Sequence, residues 1–150
     1  MINALQVYKA CLRYVEREHT GNKTTYLDEL ERVGRRLFGS KFHGVYPANR
    51  IPKLSDRSPY CILNLDSEGE AGSHWVALVK RAGDAGCVFY DSFGRRHTEI
   101  LDNLPLSGNG KIIDTEDDRE QGLLESNCGA RCMAFIMVFV LLGEKEALTI

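Results

Sequence analysis

The sequence predicts one α+β domain in which a mostly antiparallel sheet packs on a buried central helix. Three observations carry that prediction. The first forty residues repeat apolar side chains at helical spacing. Three later runs, YCILNL (60–65), HWVALVK (74–80) and CVFYDSF (87–93), are short, rich in β-branched and aromatic residues, and separated by Gly- and acid-rich turns. The stretch CGARCMAFIMVFVLL (128–142) is apolar nearly all round, the pattern of a helix with protein on every side.

Taken in order, residues 3–18 read as an amphipathic helix with Leu5, Tyr8, Leu12 and Val15 on one face, broken by HTGNK. A second helix follows, with Thr25 as its cap, Asp28 three residues on, and Leu27, Leu30, Val33 and Leu37 on one face. Gly39 ends it. Residues 40–59 hold three prolines and read as loop with short extended pieces. After the three runs, residues 98–104 read as a helical turn and KIIDT (111–115) as a further strand. The expected organisation is a single domain over 1–150, with a helical part at 1–40 and a core at 41–150, and no internal repeat.

Composition narrows the class. A chain of 150 residues, 43% hydrophobic and 27% charged, can bury one real core and has the make-up of a soluble domain. Its longest apolar run, Met133 to Leu142, is too short to span a bilayer, so no membrane partner is expected. The N-terminal stretch carries charges throughout and lacks a signal peptide's apolar centre, so the expected location is intracellular. Five cysteines (11, 61, 87, 128, 132) form an odd set without CxxC spacing, which argues against a disulfide framework and a zinc ribbon. Net charge is −2 but unevenly placed: residues 1–57 hold 11 Lys/Arg against 6 Asp/Glu, and the remainder is acidic. A basic first third can meet nucleic acid, or simply be a solvated helical surface.

The candidate chemistry begins at Cys128, set between Asn127 and Gly129 where the apolar run starts. Packing, half of a metal site and a nucleophile are all open there. A free cysteine titrates near ~8.5, so being half thiolate at pH 7 takes a fall of about 1.5 units, or roughly 2 kcal/mol. A helix N-terminus contributes about 0.3–1 kcal/mol to a nearby anion, which is insufficient. A reactive Cys128 therefore needs a basic partner. Of the four histidines, His19 and His97 lie in polar stretches, and His43 lies in a loop. His74 stands at the start of an apolar strand, where a side chain can project from the sheet rim. If the strands at 74–80 and 87–93 are neighbours, Asp91 lies close to His74 and can hold its tautomer. Gln121, seven residues before Cys128, can pair with the Cys128 N–H as an oxyanion donor. Each of these residues alone has an ordinary structural use: a half-buried histidine, a turn aspartate, a surface glutamine.

Together the four stretches resemble the adenovirus proteinase (adenain) family and its relatives in virus-like transposons and other DNA viruses. More distantly they are similar to SUMO-specific proteases. The resemblance covers residues 35–142 and rests on an ordered set: HW at 74–75, YDSFG at 90–94, Gln121, and NCG at 127–129 opening a buried helix. Upstream, FGSKFHGVYPANRIP resembles the Phe-x-Gly-Val-x-Pro segment of those proteases. It implies a papain-like, adenain-type cysteine protease fold. By position it implies Cys128 as nucleophile, His74 as base and later acid, Asp91 as the residue orienting His74, and Gln121 as oxyanion donor. Trp75 and Gly129 would border the substrate, and Cys132 would be a buried small residue.

The family also implies cleavage of capsid or core precursors near glycine, in the host nucleus or cytoplasm or inside virions, by a monomer that needs no metal or cofactor. The same chemistry acting on ubiquitin-like conjugates is the alternative. A zinc module drawing on Cys61, Cys87, Cys128, Cys132 or His74 fits no familiar spacing. Two departures from the adenovirus enzyme stand out: the Asp91–Cys128 separation is shorter, and no cysteine lies between Cys87 and Cys128. A disulfide-linked activating peptide is therefore not expected. Any activator, DNA or peptide, is expected to bind noncovalently, with Arg13, Arg17, Arg32, Arg35, Arg36 and Lys41 as the basic set.

Overall fold

The computed structural model describes residues 3–21, 26–65, 74–100, 109–115 and 127–150. The first helix, α1 (Ala4–Val15), starts where the Asn3 side chain accepts the N–H groups of Leu5 and Gln6 at 2.9 and 3.3 Å. Its buried face is Ala4, Tyr8, Cys11, Leu12 and Val15, whereas Leu5, expected inside, is exposed. One π-helical turn, Glu16–Thr20, continues it.

Helix α2 (Leu27–Phe38) begins later than expected. Its cap position is Tyr26, which makes no side-chain bond to the helix, and Thr25 lies outside the described residues. Asp28 and Glu29 in the first turn favour the positive end of the helix instead.

Five strands follow: β1 (Phe42–Pro47), β2 (Tyr60–Asn64), β3 (Trp75–Lys80), β4 (Cys87–Tyr90) and β5 (Ile112–Asp114), ordered β1-β2-β3-β4-β5. A short helix, α3 (His97–Ile100), lies between β4 and β5. The sheet is mixed, which corrects the mostly antiparallel expectation. β2, β3 and β4 pair antiparallel, but β1 runs parallel to β2 and β5 parallel to β4. A parallel pair needs a long crossover. The chain supplies one at 48–59 and another at 91–111. Strand β1 was legible only as extended pieces because it breaks alternation: a bulge falls between Phe42 and Gly44, and Pro47 ends it. Proline is tolerated there because β1 is an edge.

Both faces of the central strands are buried, which is why they read as continuous apolar runs. Trp75, Ala77 and Val79 of β3 share one core with α1 and with α4 (Cys128–Leu142). Val76 and Leu78 face the other way, packing with Cys61, Phe89, Ala48, Ile51 and Leu54. Helix α4 is buried from Cys128 to Ile136, so its first residue is fixed by the core. Each large apolar side chain buried along it contributes about 1.5–3 kcal/mol. It ends at Gly143, before the short α5 (Glu144–Ala147). Among the described residues no helix is long and apolar enough to cross a membrane.

The outer edge of β1 is closed by α2. Gly34 lets the helix approach so closely that a Cβ there would collide with the Phe42 ring. Arg35 donates to the carbonyls of Phe42 and His43, and Glu31 accepts the Val45 N–H at 3.0 Å. These side chains occupy edge groups that would otherwise template a foreign strand. Arg35 is thus already committed, although it was one of the residues expected to meet a polyanion. The double variant Glu31→Ala/Arg35→Ala is expected to lose about 1–3 kcal/mol in urea unfolding. It should also associate with rising concentration in size-exclusion chromatography, whereas the wild type should not.

Candidate active site

His74 sits immediately before β3, and its carbonyl accepts the Leu65 N–H at 3.0 Å, which extends the β2–β3 pairing by one residue. Asp91 leaves the end of β4. Because Ala77 pairs with Tyr90, the continued register brings the chain just after Asp91 alongside His74. The residues DSFG then form a turn: Asp91 carbonyl accepts the Gly94 N–H at 2.8 Å, and its carboxylate accepts the Phe93 N–H at 3.1 Å. Gly94 takes φ +74, a left-handed conformation that glycine adopts without strain.

This turn aims the carboxylate. Asp91 Oδ1 lies 2.5 Å from His74 Nε2, and the Asp91 side chain is fully buried while that of His74 is 14% exposed. His74 also faces the Cys128 thiol, which helps to raise its pKa. The sulfur accepts a bond from the Trp75 backbone N–H at 3.4 Å. A buried carboxylate, an imidazole and a thiol are therefore brought together, with the thiol on the first residue of a core helix.

The electrostatics follow from this geometry. Burial alone would lower the His74 pKa, but its bonds to Asp91 and Cys128, and their charges, raise it above the ordinary 6.5. Burial would raise Asp91, yet the bonds from His74 and Arg95, the His74 charge and the Phe93 N–H hold it below the usual 3.8. Stability is linked to both groups. The depressed Asp91 contributes fully above its unfolded pKa and less as pH falls through the folded value. The raised His74 contributes fully below about pH 6.5 and less as pH rises through its folded value. Thermal unfolding should therefore show the largest gap between wild type and Asp91→Asn near pH 5–6.5. The gap should narrow on either side. An equal gap from pH 4 to 9 would show that the pair is not ionised.

A buried polar brace ties the two halves of the site together. Arg131, one turn along α4 from Cys128, donates to the Asn127 side chain at 3.0 Å and to the Tyr8 hydroxyl at 3.2 Å. The Tyr8 hydroxyl lies 2.6 Å from that of Tyr90, whose ring stacks on Phe135. Asn127 precedes the thiol and Tyr90 precedes the carboxylate, so α1 links both. Asn127 stands at the helix cap without bonding the first-turn N–H groups. Its oxygen therefore does not compete there with an incoming anion.

Of the residues singled out from sequence, His74, Asp91 and Cys128 come together. Gln121 lies outside the described residues. Gly129 is buried in the first turn of α4. Trp75 is only 2% exposed, and its ring belongs to the core, so what it offers the site is its backbone N–H. Cys132 is fully buried, and burial, followed by the charges of Cys128, Asp91 and Cys61, pushes its thiol well up. That suits a packing role. His43 bonds Tyr46 at the β1 edge, and His97 bonds Asp114 of β5.

The residues a zinc module would use are divided: Cys61 and Cys87 lie in one core, Cys128 and Cys132 in the other. Among the described residues no group of three His, Cys, Asp or Glu is arranged to hold a metal. Sequence reasoning missed Arg131, although a lone charge inside an apolar run signals a buried polar partner. It also missed Phe93 and Arg95, which no local pattern marks. No family model, curated protein or solved structure matches this chain.

Proposed function

We propose that the chain is a cysteine endopeptidase with a Cys128-His74-Asp91 triad. One observation carries this reading: a single imidazole is bonded to a buried carboxylate and faces a thiol at the head of a buried helix. His74 takes the Cys128 proton, and the thiolate attacks the scissile carbonyl carbon. The oxyanion is held by the Cys128 N–H and the Gln121 amide. The His74 imidazolium then protonates the leaving amine. Water, deprotonated by His74, hydrolyses the thioester. Asp91 keeps the ring in register and stabilises the imidazolium throughout.

The substrates we propose are capsid or core precursors of a virus or virus-like transposon, cleaved near glycine inside the host cell. The resemblance of residues 35–142 supports this choice over ubiquitin-like conjugates. The test pairs the chain with both substrate classes. Wild type should process co-expressed capsid precursors, Cys128→Ala should not, and ubiquitin-like conjugates should stay intact. Release of ubiquitin-like proteins without precursor cleavage would reassign the substrate and keep the chemistry.

A further inference from the structure

Asp91 has a second partner that the triad does not require. Its Oδ2 accepts Arg95 Nε at 2.7 Å while Oδ1 serves His74, so the buried carboxylate is shared between two cationic groups. The Phe93 ring contacts both. It stacks on the His74 imidazole with centroids 4.7 Å apart and planes 29° apart, and the Arg95 guanidinium carbon lies 5.4 Å from its centroid. Imidazole, phenyl ring and guanidinium thus form one cluster in which the imidazole and the guanidinium are joined through Asp91. The same DSFG turn builds all of it, since the Gly94 bend returns the chain so that Arg95 reaches back to Asp91.

A carboxylate held at one oxygen can rotate about its Cβ–Cγ bond, whereas one held at both cannot. Phe93 likewise restrains the imidazole from tilting. Resting on the protease reading, we infer that Arg95 is a positioning residue: it locks Asp91 and, through Phe93, sets the orientation and proton affinity of His74. Among the described residues, the charged or titratable groups facing His74 are Asp91 from the turn and Cys128 from α4. Those facing Asp91 are His74, Arg95 and, from α4, the Cys132 thiol. Arg95 is thus the permanent cation of the cluster, and its removal leaves Asp91 to act on His74 alone.

The test combines an NMR titration of the His74 ring with peptide-cleavage kinetics for wild type, Arg95→Ala and Arg95→Lys. Because the Arg95 side chain is 44% exposed, the expected electrostatic effect is modest. The His74 midpoint should rise by about half a pH unit in Arg95→Ala and return toward wild type in Arg95→Lys. kcat should fall about 10-fold in Arg95→Ala with KM within about 2-fold, and the lysine should restore part of it. An unchanged His74 midpoint in Arg95→Ala would overturn the inference, as would a loss confined to KM, which would make Arg95 a substrate contact. The titration needs no substrate. A shifted midpoint in a chain that cleaves no peptide would sink the protease reading and leave the Arg95 assignment standing.

Discussion

On the proposed protease reading, Cys128→Ala is expected to abolish peptide hydrolysis, with kcat falling about 10⁴-fold or more, while the protein keeps its fold. The substitution removes one buried sulfur from the end of α4 and leaves the Tyr8–Tyr90–Arg131 brace in place. Circular dichroism and thermal unfolding should stay close to wild type. Cys132→Ala is the matched control. It deletes a sulfur of similar burial one turn along the helix, costs about 1–2 kcal/mol of stability, and retains most of the activity. Equal loss in both variants would mean that activity depends on the packing of α4 and not on a particular thiol.

On the same reading, Asp91→Asn is expected to give the second large effect, a fall in kcat of about 10²–10⁴-fold with the fold intact. Both carboxylate oxygens already accept: Oδ1 from His74 and the Phe93 N–H, Oδ2 from Arg95. An amide can present its oxygen to only one side. If the oxygen stays with His74, the NH₂ opposes the Arg95 guanidinium; if it turns to Arg95, the NH₂ opposes the ring. Either orientation also removes the negative charge that stabilises the imidazolium. Measuring kcat and KM separately is the check, and a variant with near-wild-type kcat would mean that another group orients His74.

The legible part of this molecule was its periodic part. The apolar runs announced β2, β3, β4 and α4, and the position of Cys128 at the head of the last was visible because polarity changes there. His74 and Asp91 could be joined because two neighbouring strands bring their near ends together. What the pattern hid depends on contacts far apart in the chain. β1 is held by Glu31 and Arg35 of α2 across a bulge, so its own residues do not alternate like a strand. Its parallel pairing with β2 is a property of the crossover, not of either strand. Arg95 carries no local signal, because only the folded turn returns it to Asp91. The place of Trp75 was likewise hidden: its ring packs into the core and its backbone meets the sulfur.

The central claim is that Cys128 and His74 act as a nucleophilic pair, and site-resolved alkylation tests it most directly. Brief iodoacetamide treatment at pH 6–7, followed by peptide mass spectrometry, reports which of the five cysteines reacts first. All five are buried, but among the described residues only Cys128 faces a histidine, and burial pushes the thiols of Cys11, Cys61, Cys87 and Cys132 up. Labelling should fall on Cys128 well ahead of these, and His74→Ala should slow it by about 10-fold or more. First labelling at Cys11, Cys87 or Cys132, or an unchanged Cys128 rate in His74→Ala, would contradict the account.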